Sequence, residues 1–294
     1  MNLKIQNLSK TYPNGVEALK NVSLSIGKGM FGLLGQNGAG KSTLMRIIAT
    51  LQDADSGTVD FKGINVSQNP ENLRKVLGYL PQEFGVYPNI SAEELLLQIA
   101  NMRGITNKNE RRDQVTYILN KVNLYQHRKK KLDRYSGGMK QRFGIAQALL
   151  AHPELIIVDE PTAGLDPMER NRFYNLLAEL GEDAVVILST HIVEDVSTLC
   201  NDMAIIGQGE VLLTGRPDEI EASLNSKVWE KTIEKSALHA HSKKYRLISN
   251  RFHMGKLMIT VVADNLPDPD FYGKSPSLED AYFNLLYDKQ KTFT

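Results

Sequence analysis

The sequence predicts an α/β fold built on a parallel sheet, and three observations lead to that prediction. The segment Gly35–Thr43 fits the phosphate-binding loop pattern G-x-x-x-x-G-K-[ST], with an apolar run before it and helical apolar spacing after it. Two later runs, 155–158 and 184–188, are apolar without interruption, which is typical of strands buried on both faces of a parallel sheet. Between loop and strands, apolar residues recur at helical spacing from about 90 to 132, which indicates a helical insert.

The two ends of the chain predict smaller β-containing parts. Apolar and polar residues alternate in Leu3–Gln6 and Val22–Ile26, with a turn at 13–15 between them, so we expect a small antiparallel sheet before the loop. Beyond about residue 225 we expect an α+β appendage. Its predicted strands are 227–233, 245–249 and 257–263, and its last helix runs from an N-cap at Ser277 through Leu286, with Asp280 at the capping-box position.

These patterns predict two domains. The first, residues 1–224, carries the phosphate-binding loop and contains the helical subdomain at about 88–145. The second, residues 225–294, is the accessory α+β region.

Composition excludes several classes of function. The chain has 294 residues, of which 41% are hydrophobic, enough for a packed core. Lys and Arg total 35 against 34 Asp and Glu, so the net charge of +1 gives no electrostatic footprint for nucleic acid. The single cysteine, Cys200, cannot form an internal disulfide or a cysteine-rich zinc site, and we expect it to pack in a reducing compartment.

The sequence also lacks the signals of a membrane or secreted chain. No window approaches the roughly 18 consecutive apolar residues of a membrane span. The first residues have no apolar core of a signal peptide. We therefore expect a soluble, cytoplasmic protein whose membrane role, if it has one, comes through a partner.

The glycine-rich loop predicts binding of a nucleoside triphosphate. Glycines let the backbone wrap around phosphates, and the N–H groups at the start of the next helix direct positive charge towards them. Lys41 is expected to reach the β- and γ-phosphates, and Ser42 to ligate Mg²⁺. An ordinary glycine-rich turn is the alternative, which the complete pattern between a strand and a helix disfavours. The nucleotide-binding residues expected here are Gly35, Asn37, Gly38, Ala39, Gly40, Lys41, Ser42 and Thr43.

Two further segments have the chemistry of a phosphoryl-transfer site. Asp159 and Glu160 end the apolar run at 155–158, where Asp159 is suited to the Mg²⁺ shell and Glu160 to orienting and deprotonating a water. Two solvated acids at a strand end are the plainer alternative. Ser136-Gly137-Gly138 precedes a predicted helix whose N-terminus is suited to an anion, although by itself it indicates only a loop and a helix start.

The order of these motifs resembles that of the ATP-binding cassette (ABC) family over about residues 3–220. Three residues that are ordinary when alone gain a role from the resemblance: Tyr12, otherwise a strand aromatic, Gln82, otherwise a loop residue, and His191, otherwise a strand cap. The matched motifs are Walker A (Gly35–Thr43), the Q-loop (Gln82), the signature (Tyr135–Met139), Walker B (Val158–Pro161), the D-loop (Ala163–Asp166), the switch (His191) and the aromatic residue that stacks on adenine (Tyr12).

The resemblance implies a P-loop NTPase core with an antiparallel β subdomain, a helical signature subdomain and the C-terminal appendage. It implies ATP and Mg²⁺ as ligands, and a head-to-tail dimer with each ATP between the loop of one chain and the signature of the other. The departures from the family pattern are Tyr135, Met139 and Ala163. The residues implied in catalysis are Glu160, His191 and Gln82, those in the metal site Ser42, Gln82 and Asp159, and the further nucleotide contacts Tyr12, Ser136, Gly137, Gly138 and Asp166.

The function implied is that of the energy subunit of a transporter. Residues 83–91 resemble the surface that receives the permease, and 275–283 resemble a helix start common in the export branch, which moves drugs, antibiotics or peptides. The permease would be a separate integral membrane protein that holds this chain at the inner face of the cell membrane. The alternative is a non-transport ABC ATPase, in iron–sulfur assembly or on ribosomes, although ribosomal members usually carry two cassettes.

The basic run 127–131 favours a solvated helix end over a nucleic-acid patch, because the overall charge is balanced, so we expect no nucleic-acid partner.

Overall fold

The structure is a computed structural model that describes residues 2–82, 85, 88–162 and 165–292, with side chains described up to residue 288. It divides into two compact units, residues 1–214 and 215–294. The division lies ten residues before the predicted domain boundary at 224/225, because helix 217–222 groups with the C-terminal unit. The assignment of a separate role to each domain stays a prediction.

The first unit contains ten strands and seven α-helices among its described residues. The strands are β1 (Leu3–Thr11), β2 (Glu17–Ile26), β3 (Gly29–Leu34), β4 (Ser56–Phe61), β5 (Ile64–Asn65), β6 (Leu77–Leu80), β7 (Leu155–Asp159), β8 (Val185–Thr190), β9 (Asp202–Gly207) and β10 (Glu210–Gly215), whose last residue lies across the division. The helices are α1 (Lys41–Ile48), α2 (Pro70–Val76), α3 (Ala92–Met102), α4 (Lys108–Lys121), α5 (Gly137–Ala148), α6 (Pro167–Gly181) and α7 (Val193–Leu199).

A six-stranded sheet in the order β10–β9–β3–β8–β7–β6 forms the centre of the first unit. The pairs β9–β3, β3–β8, β8–β7 and β7–β6 are parallel. Strands β7 and β8 are buried along their whole length, as their uninterrupted apolar sequences predict. Because parallel strands end at one edge, the residues that follow β3, β7 and β8, namely Gly35, Glu160 and His191, start from the same edge.

The predicted N-terminal antiparallel sheet is present in the order β2–β1–β4–β5. Leu3 pairs with Ile26 on one side and Phe61 on the other, and all three side chains are buried. This sheet shares one hydrophobic core with β3 and α1, which includes Leu33, Leu44 and Met45. The core therefore fixes the two elements that flank the glycine-rich loop.

The predicted helical insert consists of α3, α4 and α5. Ser91 caps α3 through a capping box: its hydroxyl oxygen accepts from the Glu94 N–H, and the Glu94 carboxylate accepts from the Ser91 N–H. Asn107 caps α4 with its side-chain oxygen. The insert leads into Ser136 and α5, so it presents the signature segment.

The second unit is the α+β appendage. Its elements are α8 (Pro217–Ala222), β11 (Val228–Ile233), α9 (Leu238–Lys244), β12 (Leu247–His253), β13 (Lys256–Val262), β14 (Tyr272–Gly273) and α10 (Leu278–Thr292). The sheet order is β12–β13–β11–β14, with antiparallel pairing throughout. Ser277 and Asp280 form the predicted capping box, since the Asp280 carboxylate accepts from the Ser277 N–H at 2.9 Å and the Ser277 hydroxyl oxygen accepts from the Asp280 N–H at 3.3 Å.

Candidate active site

The glycine-rich loop lines a cavity of about 360 Å³ at the edge where β3 ends. Gly40 has φ +106° and precedes α1, and a Cβ there would overlap the carbonyl oxygen of Ala18, so only glycine fits. No side chain caps α1, which leaves its first N–H groups available to an anion. The cavity is lined by the described residues Tyr12, Val16, Ala18, Gln36, Asn37, Gly38, Ala39, Gly40, Lys41, Ser42, Thr43, Gln82 and Glu160.

Lys41 is a buried cation in this cavity. Its Nζ donates to the carbonyl oxygens of Gly35 at 2.6 Å and Gln36 at 3.1 Å, and lies 3.9 Å from Glu160 Oε1. Burial lowers the pKa of Lys41, an effect that the charges of Glu160 and Asp159 oppose. A bound phosphate chain would place further negative charge beside this ammonium group and so stabilise its charged form.

Glu160 is the point at which three predicted site residues meet. Its Oε2 accepts a hydrogen bond from Gln82 Nε2 at 3.0 Å, and its Oε1 lies 3.2 Å from His191 Nδ1 and 3.9 Å from Lys41 Nζ. Its backbone has φ +48°, an unfavourable value for a residue other than glycine. The structure thus brings together the catalytic residues that the sequence predicts.

The side chain of Asp159 is suited to binding a divalent cation. The Asp159 side chain is buried, and its Oδ1 has no hydrogen-bond partner among the described residues. Such an atom is unfavourable unless a cation or a donor compensates for its lost hydration. Among the described residues no group of three or more His, Cys, Asp and Glu side chains is placed to hold a metal ion. The buried Asp159 carboxylate suits Mg²⁺, which binds through one or two protein carboxylates together with nucleotide phosphates.

Tyr12 lines the cavity together with the residues of the glycine-rich loop. Its hydroxyl group lies 3.1 Å from Thr43 Oγ1 and donates to Gln52 Oε1 at 3.2 Å. These contacts fix the ring, which is half-buried, beside the start of α1. The geometry agrees with the predicted stacking on adenine, which stays a prediction.

The signature residues lie elsewhere in the first unit. Ser136 caps α5, with its Oγ accepting from the Met139 N–H at 3.3 Å, and Ser136 and Gly137 are exposed. Gly138 is covered by the carboxylate of Glu169, which leaves no room for a Cβ. Ser136, Gly137 and Gly138 do not line the cavity at Gly35–Thr43, so one chain does not bring these two predicted nucleotide contacts together.

The predicted D-loop and permease surface are only partly described. Asp166 caps α6 by accepting from the Glu169 N–H at 2.8 Å, and it does not line the cavity. Ala163 and Gly164 of the D-loop, and Glu83, Phe84, Val86 and Tyr87 of the permease surface, lie outside the described residues.

Asp195 is a buried polar residue near the site that none of the sequence motifs indicates. Its carboxylate accepts hydrogen bonds from Thr162 Oγ1 at 2.7 Å, Thr190 Oγ1 at 2.8 Å and the Tyr174 hydroxyl. Asp195 is fully buried at the start of α7, where its sequence context, Glu194-Asp195, is that of a solvated first turn. No local pattern distinguishes these two acids; only the packing of α7 does.

The basic run at 127–131 is partly a structural element. Arg128 stacks on Tyr125 at 4.0 Å and lies 3.6 Å from Glu93, and Lys131 lies 3.7 Å from Glu94. These pairs join the run to the start of α3, while Lys129 and Lys130 are exposed. No described helix is both long and apolar enough to cross a membrane.

Comparison with known proteins gives similarity in sequence and in fold. Residues 19–163 match the family described as ABC transporter. The chain is 37% identical over 220 residues to the linearmycin resistance ATP-binding protein LnrL of Bacillus subtilis (strain 168), across 74% of this chain and 70% of that protein. It is 30% identical over 300 residues to the uncharacterized ABC transporter ATP-binding protein YxlF of the same strain, across 97% of this chain and 99% of that protein.

A solved structure described as a dimeric, post-hydrolysis state of the ATP-binding cassette MJ0796 bound to ADP and Pi has the same fold. It superposes with a TM-score of 0.67 at 28% identity, across 73% of this chain and 98% of that one. Sequence and fold therefore point to one family.

Proposed function

Since the chain belongs to the ABC transporter family, as an ATP-hydrolysing subunit of the export type, we propose that two copies close head to tail around ATP. In this dimer the loop Gly35–Thr43 of one copy and Ser136–Gly138 of the other contact the same nucleotide. Closure and reopening drive a separate membrane permease.

The separation of the two half-sites within one chain carries this proposal. The phosphate loop, Gln82 and Glu160 line one cavity, and His191 contacts Glu160 at its edge. Ser136 and Gly137 are exposed outside that cavity, at the N-terminus of α5. Exposed N–H donors at a helix N-terminus are suited to a phosphate that another chain presents. A two-fold axis would complete both sites at once.

The described contacts support distinct roles for the residues at the cavity. Lys41 and the start of α1 bind the phosphates, and Tyr12 stacks on the base. Glu160 polarises the attacking water, and His191 positions the γ-phosphate while it contacts Glu160.

Asp159, Ser42 and Gln82 are the residues that would hold Mg²⁺. When bound with ATP, Mg²⁺ neutralises charge that develops on the transferred phosphoryl group. The unpartnered Oδ1 of Asp159 supports this assignment.

The transported compound is proposed from the relatives. The linearmycin resistance protein supports export of an antibiotic or a similar drug. We propose that the permease holds the chain at the inner face of the cell membrane. The non-transport alternative, in iron–sulfur assembly or on ribosomes, is not favoured, because the relatives are transporter ATP-binding proteins.

Purification from membranes tests the transport role. We expect affinity-tagged chain, extracted in detergent from its own cells, to retain an integral membrane protein with about six apolar spans. The tag alone, expressed at the same level, is the matched control. Recovery with ribosomes and without a membrane protein would overturn the transport assignment.

A further inference from the structure

A fully buried carboxylate lies next to the proposed catalytic residues without contacting the cavity. Asp195 accepts three hydrogen bonds, from Thr162, Thr190 and Tyr174, and each donor belongs to a different part of the chain. Among the described residues no cation forms an ion pair with it. A buried charge of this kind is unfavourable unless several well-placed donors compensate for its lost hydration.

The three donors lie beside functional segments. Thr162 is two residues after Glu160, and Thr190 immediately precedes His191. Thr190 Oγ1 also accepts from the Ile192 N–H at 2.9 Å, so it fixes the backbone on both sides of His191. One carboxylate therefore joins the segment that carries the proposed base to the segment that carries the switch.

The third donor, Tyr174, connects this network to the helix α6, which packs against the signature residue Gly138. Tyr174 lies on α6, the helix that Asp166 caps and from which Glu169 covers Gly138. Burial, the hydrogen bond to Asp195 and the charge of Asp195 raise the pKa of Tyr174, so its hydroxyl remains a proton donor at neutral pH.

We propose that Asp195 is a positioning residue for ATP hydrolysis, which holds Glu160 and His191 at their observed contact through Thr162 and Thr190. The proposal rests on the proposed roles of Glu160 and His191. A misplacement of about 1 Å by a distant change can reduce turnover about 100-fold, so the network has a measurable effect without touching the substrate.

The test compares kcat with nucleotide affinity. For Asp195→Asn we expect kcat to fall about 10- to 100-fold, while KM for ATP and the affinity for ADP stay within about twofold. Thr162→Val removes one of the three donors at nearly constant volume and is also expected to lower kcat. It provides the test if Asp195→Asn does not fold. The matched control is Thr260→Val, since Thr260 is also buried and donates to a carboxylate, Glu230, in the second unit; its kcat is expected to be unchanged.

A double-mutant cycle with His191→Ala separates positioning from general destabilisation. If Asp195 holds the contact between His191 and Glu160, adding Asp195→Asn to His191→Ala lowers kcat by a smaller factor than Asp195→Asn does alone. A loss in the double variant equal to the product of the single losses overturns the proposal, as does kcat within about twofold of wild type for both Asp195→Asn and Thr162→Val.

The proposed role of His191 is tested separately by His191→Ala alone. Normal turnover of that variant would contradict the role of His191. The positioning role would then be decided by the kcat of Asp195→Asn and Thr162→Val against the Thr260→Val control.

Discussion

At the scale of single residues, Glu160 is the centre of the site. Its position after an apolar strand predicts a catalytic acid, but the sequence does not predict its left-handed backbone or the convergence of Gln82, Lys41 and His191 on its carboxylate. These features depend on the register of β7 and β8 and on the loop geometry. A conformation of this kind costs about 1–3 kcal/mol and persists where the surrounding structure imposes it.

Replacing the Glu160 carboxylate tests its role directly. For Glu160→Gln we expect steady-state ATP hydrolysis to fall at least about 100-fold, because an amide cannot accept the proton of the attacking water. ATP affinity, measured by equilibrium binding, is expected to be retained.

Two variants control for this result. Lys41→Ala is expected to lose nucleotide binding itself, so any turnover that remains in its preparation reports a contaminating ATPase. Glu182→Gln, at an exposed acid, is expected to behave as wild type. Near-normal turnover of Glu160→Gln would show that another group is the base, and unchanged affinity of Lys41→Ala would rule out its phosphate contact.

At the scale of elements, the sequence predicts a strand correctly where its burial is either continuous or alternates regularly. The apolar runs of β7 and β8 and the alternation in β1 and β2 identify those strands, because their patterns follow directly from which faces are buried. Strand β12 differs: the predicted strand is 245–249, whereas the observed one is Leu247–His253. Pairing with β13 and the turn at Met254–Gly255, where both residues have positive φ, extend the strand past Asn250, a residue type that is depleted in strands.

The second unit depends on an ion network that no local pattern indicates. Lys274 Nζ lies 2.7 Å from Asp280 Oδ1 and 3.7 Å from Glu230 Oε1, and both carboxylates are buried. For Lys274→Met we expect the free energy of unfolding of this unit to fall by at least about 2 kcal/mol, because two buried charges lose their shared cation. The single tryptophan, Trp229, lies on β11, so its fluorescence during denaturation reports this unit.

Lys227→Met is the matched control. Lys227 Nζ lies 3.6 Å from Asp264 Oδ1, and both side chains are exposed, so its removal is expected to cost less than about 1 kcal/mol. Equal, small losses in the two variants would show that Lys274 is not structurally important.

At the scale of the whole molecule, the order of the motifs predicts the family, and the structure adds where each motif lies. Gly35–Thr43 and Ser136–Gly138 are both intact, yet they occupy separate parts of the first unit. The sequence alone cannot supply that separation, because it results from the packing of the helical insert against the sheet. The separation explains why one chain presents only half of each proposed nucleotide site.

The molecular mass of Glu160→Gln with and without ATP and Mg²⁺ tests this account most directly. Light scattering is expected to give 32.9 kDa without nucleotide and twice that mass with ATP, because slow hydrolysis preserves the nucleotide at the interface. The double variant Glu160→Gln/Ser136→Arg is expected to stay at the single mass with ATP, since the added side chain blocks the second half-site. A Glu160→Gln chain that binds ATP yet keeps its single mass, or a double variant that dimerises equally well, would contradict the account.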